Sequence, residues 1–494
     1  MRLFVFAIGG TGARVLRSFT MLMASGIKMN PDIEIVPIII DMDVNNGDTL
    51  RTMDLINKYK AIKDKTYTGP SNDGYFHVPM RTLGSLAADS QNTEATGVKI
   101  KDSFQIDFGN ITQTFYNYIQ ASSLDTETMK LLESLFDSSK PSSTGTSSTE
   151  LHLQLSLGFK GNPNIGSIIF NNIKNTSEYK YFESVFNSGD KILIISSIFG
   201  GTGSSGFPVL VKNFRNSDKV DIKNAEIGAL VVLPYFKVNT DSNSTIDSNN
   251  FNSKTKAALS YYASELDGKI NSTYYIGCDE VGLAYANSEG GHEQMNKAHV
   301  VEMIAATGIK HFADNGDGGY NYYEFGVPYW NSGSVVDFRH FDEFTKQEVF
   351  IPMASFSYFA KLYKQTFRTS KALSAAYSKS LNLTSADFSG GMFAGLTAFV
   401  DQFIEWLDEL KSNDPGFFPV DINADFKVMI RGMVMKTGLF SKFDDQTFLQ
   451  NISKFEKQNS SINDRYQRFM KSVFQAIDEV VKEKVKTLPS GENL

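Results

Sequence analysis

The chain has 494 residues, of which 41% are hydrophobic, and a formal net charge of −7. A chain of this length and composition can form about two or three domains with full hydrophobic cores. The net negative charge, without any long basic run, excludes a general binder of nucleic acid or of anionic membranes, because such proteins need a concentrated basic surface.

Several site types and compartments are also excluded by the sequence. Cys278 is the single cysteine, which excludes an internal disulfide and a cysteine-based metal cluster. The six histidines show no paired ligand spacing, so any metal would be a hard cation held by oxygen and phosphate. The apolar N terminus is too short for a signal peptide, and no stretch approaches the length of a transmembrane helix. We therefore expect a cytoplasmic protein without a membrane segment.

The chain begins with a predicted strand at residues 3–8, and apolar residues then recur with helical spacing up to Gly26. This pattern predicts a buried strand, a tight loop and a helix. A second predicted strand, at residues 33–40, ends in Asp41 and Asp43. In an open parallel sheet these carboxylates would lie at the carboxyl edge, where ligands bind; capping of a loop is the alternative role. The loop after the first strand consists of Gly9, Gly10, Thr11 and Gly12.

Residues 45–150 form a predicted insertion. Within it, helices are predicted at residues 111–119 and 126–136, and the low-complexity run at residues 138–149 predicts a surface loop.

A second glycine-containing loop follows the insertion. The leucines at residues 151–157 alternate, which predicts a strand. This strand leads into GFKGNPNIG at residues 158–166, which contains Gly161 and Asn162 and precedes a predicted helix.

The stretch KILIISSIFGGTGSSG at residues 191–206 organises the rest of the chain. An apolar run that breaks into glycines predicts a buried parallel strand, a glycine-rich turn and the start of a helix. Glycine lets the backbone approach a ligand closely, and the N–H groups at a helix N terminus attract phosphate. A purely structural use of these glycines is the alternative. The residues of this loop that we expect to bind phosphate are Gly200, Gly201, Thr202, Gly203 and Ser204.

The alternation of strands and helices continues to about residue 315. Strands are predicted at residues 227–233 and 272–277, a mobile polar loop at 237–254, and helices at 256–266 and 292–312. We therefore expect an α/β domain with a mainly parallel sheet at residues 1–315.

Residues 316–494 are predicted to form a mostly helical C-terminal domain. The helices span residues 353–381, 396–410 and 462–485, with a strand near residues 426–430. The last helix carries an apolar stripe that suits either a partner groove or packing on its own domain. The stripe consists of Ile462, Phe469, Val473, Ile477 and Val480.

The three loops in this order resemble those of the tubulin/FtsZ superfamily, in particular the tubulin-like proteins of bacteria. The family's Gly-Gly-Thr-Gly motif is matched at residues 200–203, although Phe199 replaces a small residue and Ser205 replaces the last glycine. The family's first loop is matched at residues 9–12, and its Gly-Asn-Pro at residues 161–163. Its Asn-Thr-Asp is echoed by Asp41, Met42 and Asp43.

The resemblance implies a tubulin/FtsZ-like parallel-sheet domain that binds GTP with Mg²⁺, followed here by the mostly helical domain. In the family, an aromatic ring stacks on guanine and an asparagine four residues later reads the base edge. His292 and Asn296 have that spacing, although His292 replaces the usual phenylalanine or tyrosine, and a surface histidine is the alternative. Cys278 and Asp279 stand where the family often has another base-reading asparagine.

The resemblance also implies self-association into filaments, in which the next subunit completes the site with a carboxylate that positions water. The segment VVDFRHFDE at residues 335–343 partly echoes the family motif. Asp337 would be the catalytic carboxylate and Asp342 the second choice, whereas capping aspartates in a surface turn are the alternative.

Two other functions agree with parts of the sequence. One is a non-polymerising, nucleotide-dependent switch or scaffold that binds a protein partner through the C-terminal helices. The other is a dinucleotide-dependent oxidoreductase, which we rank last because Val15 stands where the fingerprint needs its third glycine.

Overall fold

The computed structural model describes residues 1–89, 102–109, 111–136, 150–159, 161–238, 251–278, 284–285, 291–315, 319–327, 335–435 and 443–487. Within these residues the central element is a six-stranded sheet in which every neighbouring pair is parallel. The expected α/β class with a parallel sheet is confirmed. The strands are β1 (Arg2–Ile8), β2 (Glu34–Ile40), β3 (Lys191–Ser197), β4 (Glu226–Val232), β5 (Ser272–Cys278) and β6 (Asn321–Val327).

The strands lie in the order β2-β1-β3-β4-β5-β6, so the chain changes direction along the sheet between β1 and β3. β1 to β4 are nearly continuous apolar runs with buried side chains, as expected for parallel strands that are covered on both faces. Two short segments, residues 79–81 and 104–106, add backbone hydrogen bonds to the outer edge of β2.

Helices cover both faces of the sheet. The longer helices are α1 (Gly9–Ala24), α2 (Gly47–Thr66), α3 (Thr126–Phe136), α4 (Pro163–Phe170), α5 (Ser177–Val185), α6 (Gly201–Arg215), α7 (Phe251–Glu265), α8 (Val300–Asn315), α9 (Ile351–Gln365), α10 (Ala394–Lys411), α11 (Asp445–Gln458) and α12 (Arg465–Lys484). Shorter helical segments include Leu83–Asp89, Phe115–Tyr118, Val220–Lys223, Glu343–Thr345, Lys346–Phe350, Ser370–Leu373, Ala376–Ser380 and Ser385–Ser389.

Helix α8 lies on the opposite face of the sheet from α6 and α7. It packs against α1, whereas Phe207 of α6 contacts Tyr262 of α7. Yet α6, α7 and α8 each connect neighbouring strands in the same direction along the sheet. The β5–α8–β6 connection therefore has the opposite hand to the other two, and it brings Glu302 of α8 next to α1.

The C-terminal helices form a further layer on the face that carries α1, α2 and α8. Helices α10 and α12 pack on α2, and α9 packs on α1. The buried indole of Trp406 lies 3.3 Å from the Ser18 hydroxyl, to which it donates a hydrogen bond. The predicted helical C-terminal region is thus confirmed, and the apolar stripe of α12 packs inside the protein, where Phe469, Val473 and Ile477 are fully buried.

Several local predictions are wrong. The strand predicted at residues 151–157 is two 3₁₀ turns, Glu150–His152 and Leu155–Leu157, in which Leu151 and Leu155 are both buried. The strand predicted near residues 426–430 lies instead at Met433–Met435, where it pairs with Val485–Thr487.

Other boundaries differ from the predictions. The helix predicted at residues 353–381 ends at Gln365, and two short helices follow it. The helix predicted at residues 111–119 is reduced to Phe115–Tyr118. The low-complexity run at residues 138–149 and Asp279 lie outside the described residues. Among the helices that are described, none is both long enough and apolar enough to cross a membrane.

Candidate functional site

Three glycine-containing loops meet at the carboxyl edge of the sheet. We name them the first glycine loop (residues 9–12), the second (residues 158–166, described except for residue 160) and the third (residues 200–206). A Cβ atom on Gly9, which has φ +68°, would lie 3.4 Å from Cβ of Thr202. A Cβ atom on Gly201 would lie 2.8 Å from the amide nitrogen of Gly161 and 3.2 Å from that of Asn162. The third loop therefore contacts both of the others.

A helix begins within each of the three loops, so three helix N termini lie at this edge of the sheet. The residues that precede α1, α4 and α6 are Ile8, Asn162 and Gly200, and none of them caps its helix with a side-chain hydrogen bond. The first turns of these helices also contain no acidic residue. Their N–H groups and the positive ends of three helix dipoles therefore point to one place, which suits a multiply charged anion.

The hydroxyl groups of the third loop have divided roles. Ser204 donates a hydrogen bond to the Gly200 carbonyl oxygen, and Ser205 donates to the Gly201 carbonyl oxygen at 2.7 Å. Both hydroxyl protons thus bond to the first turn of α6. Thr202 is partly exposed beside the first loop and keeps the position expected of a ligand-binding residue.

The buried guanidinium group of Arg14 lies next to the first glycine loop. Arg14 forms ion pairs with Glu302 at 2.5 Å and with Asp48 at 2.6 Å, and it donates to the Tyr235 hydroxyl at 2.7 Å. Its Nη2 atom also lies 3.3 Å from the hydroxyl oxygen of Thr11. The signal for this role in the sequence is a pair of arginines, Arg14 and Arg17, in a mostly apolar helix.

The same charges continue to the C-terminal layer. Arg51 pairs with Asp48 at 2.8 Å and with Glu409 of α10 at 3.1 Å, and Arg17 pairs with Glu409 at 2.5 Å. We call this set the Arg14 network. Its positive and negative charges are equal in number, so each ion compensates others that burial has removed from water. The members are Arg14, Arg17, Arg51, Asp48, Glu302 and Glu409.

Asp41 and Asp43 stabilise the turn that follows β2. Asp41 accepts a hydrogen bond from the Asp43 amide at 3.1 Å, and Asp43 accepts from the amides of Asn45 at 3.1 Å and Gly291 at 2.5 Å. Burial raises the pKa of Asp41 to about 7, and the nearby Asp43 and Asp48 carboxylates contribute to the increase. The hydrogen bonds observed for both residues are therefore those of the capping alternative.

The segment that precedes α8 is not helical. The predicted helix begins at Val300 instead of residue 292, so the helical spacing expected of His292 and Asn296 is wrong. The reason is that the backbone of this segment bonds to the start of α2: Asp48 accepts from the amide of Asn296 at 3.1 Å and from its side chain at 3.3 Å. The side chain of His292 is exposed in a turn, and the backbone carbonyl oxygen of His292 lies close to Gly47.

The two candidate catalytic aspartates differ in exposure. The side chain of Asp337 is 1% exposed, pairs with Arg339 at 2.8 Å and caps the turn Phe338–His340. Asp342 is exposed and caps the short helix Glu343–Thr345, where it accepts from the Thr345 amide at 2.9 Å. Asp342 is thus the one of the two that can reach a second molecule.

Lys254 is a residue of this region that sequence reasoning missed. It lies in the first turns of α7, which begins at Phe251 within the segment predicted to be a mobile loop. Its ammonium group donates to the carbonyl oxygen of Gly161 at 2.7 Å. The polar segment before α7 has no periodic pattern that would predict this helix. The position of Lys254 beside Gly161 is therefore known only from the fold.

The site also bears on the expected Mg²⁺. The described residues contain no group of three or more His, Cys, Asp or Glu side chains arranged to hold a metal ion. The loops offer backbone N–H groups and the hydroxyl of Thr202, which suit phosphate oxygens. The fit is therefore to a cation that arrives with phosphate ligands and keeps water in its shell.

Asp41→Asn tests the burial of this carboxyl group. The pKa of Asp41 is about 7 in the folded protein and 3.8 ordinarily, so the folded state keeps a proton that the unfolded state loses, and stability falls as pH rises through this window. The variant and the wild type should have similar free energies of unfolding near pH 4, and the variant should be more stable by up to about 4 kcal/mol near pH 8. Urea denaturation across this range measures the difference, in which the titrating groups that do not interact with Asp41 cancel. A difference that does not change with pH would contradict the assignment.

The chain matches no protein-family model. A comparison with curated proteins likewise finds no similar sequence. The glycine loops and the motifs they carry are therefore the basis for a functional proposal.

Proposed function

We propose that the three glycine loops bind the phosphates of a nucleoside triphosphate, GTP, together with Mg²⁺. The observation that carries this proposal is the meeting of three helix N termini without side-chain caps, at loops whose backbones touch one another. A triphosphate supplies several negative charges at once, and backbone N–H groups at helix N termini are suited to bind them.

The position in the sheet supports the same proposal. The first and third loops follow β1 and β3, the two adjacent strands between which the chain changes direction. In open parallel sheets, ligands bind in the crevice outside the carboxyl ends of the strands at such a point. The second loop approaches from the side of α6, and by resemblance to the tubulin/FtsZ superfamily Asn162 would contact the terminal phosphate.

The choice of guanine is supported by the resemblance of the motifs. Asn296 bonds to Asp48 through its side chain and its backbone amide, so reading a base edge would require its side-chain amide to turn away from Asp48. ATP therefore belongs in every binding experiment as the competing nucleotide.

Thr202→Val tests the site itself. This substitution keeps the shape of the side chain and removes its hydroxyl group, so the affinity for Mg·GTP should fall about tenfold, the contribution of one hydrogen bond to a charged group. Thr112→Val is the matched control, because the side chain of Thr112 is exposed and this residue belongs to none of the three loops; the affinity of this variant should not change. Isothermal titration calorimetry gives both values. The proposal fails if the wild type binds no nucleoside triphosphate, or if both variants bind as the wild type does.

We propose further that GTP is hydrolysed when subunits associate end to end and a carboxylate of one subunit positions water at the site of the next. Phosphoryl transfer depends mainly on alignment and charge neutralisation, so a single well-placed carboxylate is sufficient to direct the water. The exposure of Asp342 and the burial of Asp337 favour Asp342 for this role.

Asp342→Asn tests hydrolysis between subunits. Hydrolysis per molecule should rise with protein concentration in the wild type and fall about 100-fold in the variant, without loss of GTP affinity. The neighbouring exposed carboxylate gives the control Glu343→Gln, which should keep wild-type activity. Phosphate release measured over a concentration series decides the matter. Activity that is absent, or flat with concentration, would contradict assembly-dependent hydrolysis.

A negative result of this kind would favour a nucleotide-dependent switch, which one further observation supports. The Arg14 network runs from Thr11 in the first glycine loop to Glu409 in the C-terminal layer through buried and partly buried ion pairs. A phosphate bound at the first loop would therefore act on charges that are shared with α10.

A further inference from the structure

The start of α7 is fixed beside the second and third glycine loops by buried aromatic rings. Phe251, the first residue of α7, packs on Phe199, which precedes the third loop, with ring centroids 4.9 Å apart. Both side chains are buried, and Thr255 on the next turn is buried as well. The backbone position of Lys254, between Phe251 and Thr255 on α7, is thus fixed by buried side chains.

The ammonium group of Lys254 lies against the part of the second loop that touches the third. It donates to the Gly161 carbonyl oxygen at 2.7 Å, and a Cβ atom on Gly161 would lie 3.2 Å from the same nitrogen. A Cβ atom on Gly201, at the start of α6, would lie 2.8 Å from the amide nitrogen of Gly161 and 3.2 Å from that of Asn162. The positive charge therefore stands at the junction of the second and third glycine loops.

Arg14 and Lys254 differ in their freedom to move. Arg14 is paired with two buried carboxylates, Asp48 and Glu302, below the first loop. Lys254 is partly exposed, and its flexible stem allows the ammonium group to swing by several ångströms. A phosphate oxygen is a stronger acceptor for it than a peptide carbonyl, since both partners are then charged.

We infer that Lys254 distinguishes nucleoside triphosphate from diphosphate: its ammonium group leaves the Gly161 carbonyl and binds the terminal phosphate. This inference rests on the proposed nucleotide site and adds to it the residue that reads the phosphate number. The terminal phosphate carries close to two negative charges at neutral pH, and the second loop is the one that Lys254 holds. Loss of that phosphate returns the ammonium group to Gly161.

The experiment compares Lys254→Met with Lys254→Arg, Lys254→Gln and Lys256→Met. Affinities for Mg·GTP and Mg·GDP are measured by calorimetry on the full chain, and urea denaturation confirms that each variant is folded. Lys254→Met should weaken GTP binding about 10- to 100-fold and change GDP binding by less than about threefold. Lys254→Arg should stay within about threefold of the wild type for both nucleotides, because it keeps the charge.

Two of these variants separate a direct contact from a structural role. Lys254→Gln keeps an N–H donor for the Gly161 carbonyl but has no charge, so it should bind GTP as weakly as Lys254→Met. Lys256 is exposed on the same helix, and Lys256→Met removes the same charge without changing either affinity.

The outcomes are distinct. Equal losses for GTP and GDP, unchanged GTP affinity in Lys254→Met, or rescue by Lys254→Gln would each overturn the inference while leaving the proposed site in place. A wild-type protein that binds neither nucleotide would overturn both.

Discussion

The structure depends on a backbone approach that no residue with a side chain can make. A Cβ atom on Gly12 would lie 2.8 Å from the Ala7 carbonyl carbon and 3.1 Å from the Ile195 carbonyl oxygen, and one on Gly203 would lie 2.6 Å from the Ser197 oxygen. Helices α1 and α6 can therefore begin directly on the ends of β1 and β3. The two helices lie on opposite faces of the sheet while their N termini stay adjacent, and the proposed anion site depends on this arrangement.

A second constraint connects this site to the rest of the protein. Burying Arg14 under the first loop requires carboxylates nearby, and they come from α2 and from α8. Helix α8 reaches Arg14 only because its crossover lies on the face of α1. The C-terminal helices pack on the same face, so Glu409 of α10 can balance the charges of Arg17 and Arg51. The glycine loops, the hand of the β5–α8–β6 connection and the C-terminal layer thus depend on one another.

The parts that the sequence predicted are those with strong local signals. Apolar runs that break into glycine, as at residues 3–12 and 192–203, predict both the strand and the helix start, and the structure confirms them. The proximity of Gly9 and Gly201 follows once β1 and β3 are parallel, because their carboxyl ends share one edge. Gly161 follows no strand and reaches them through the packing of α4 on α6. The helical C-terminal region was also readable, since α10 and α12 have regular apolar spacing.

The parts that the sequence did not predict depend on contacts between distant residues. β6 is an aromatic-rich edge strand with exposed Tyr322 and Phe325, so it lacks the buried run of the other strands. Helix α8 starts late because Asp48, far away in the chain, binds the segment before it. The contact between Lys254 and Gly161 likewise has no periodic signature. Each of these features is fixed by tertiary hydrogen bonds.

The most direct test of the central claim, that three loops share one ligand, is hydrogen exchange of the backbone amides with and without Mg·GTP. The account predicts that exchange slows together in residues 9–12, 161–166 and 200–204, because one triphosphate would accept hydrogen bonds from all three helix N termini. Slowing in a single loop, or in none of them at saturating nucleotide, would contradict a shared phosphate site.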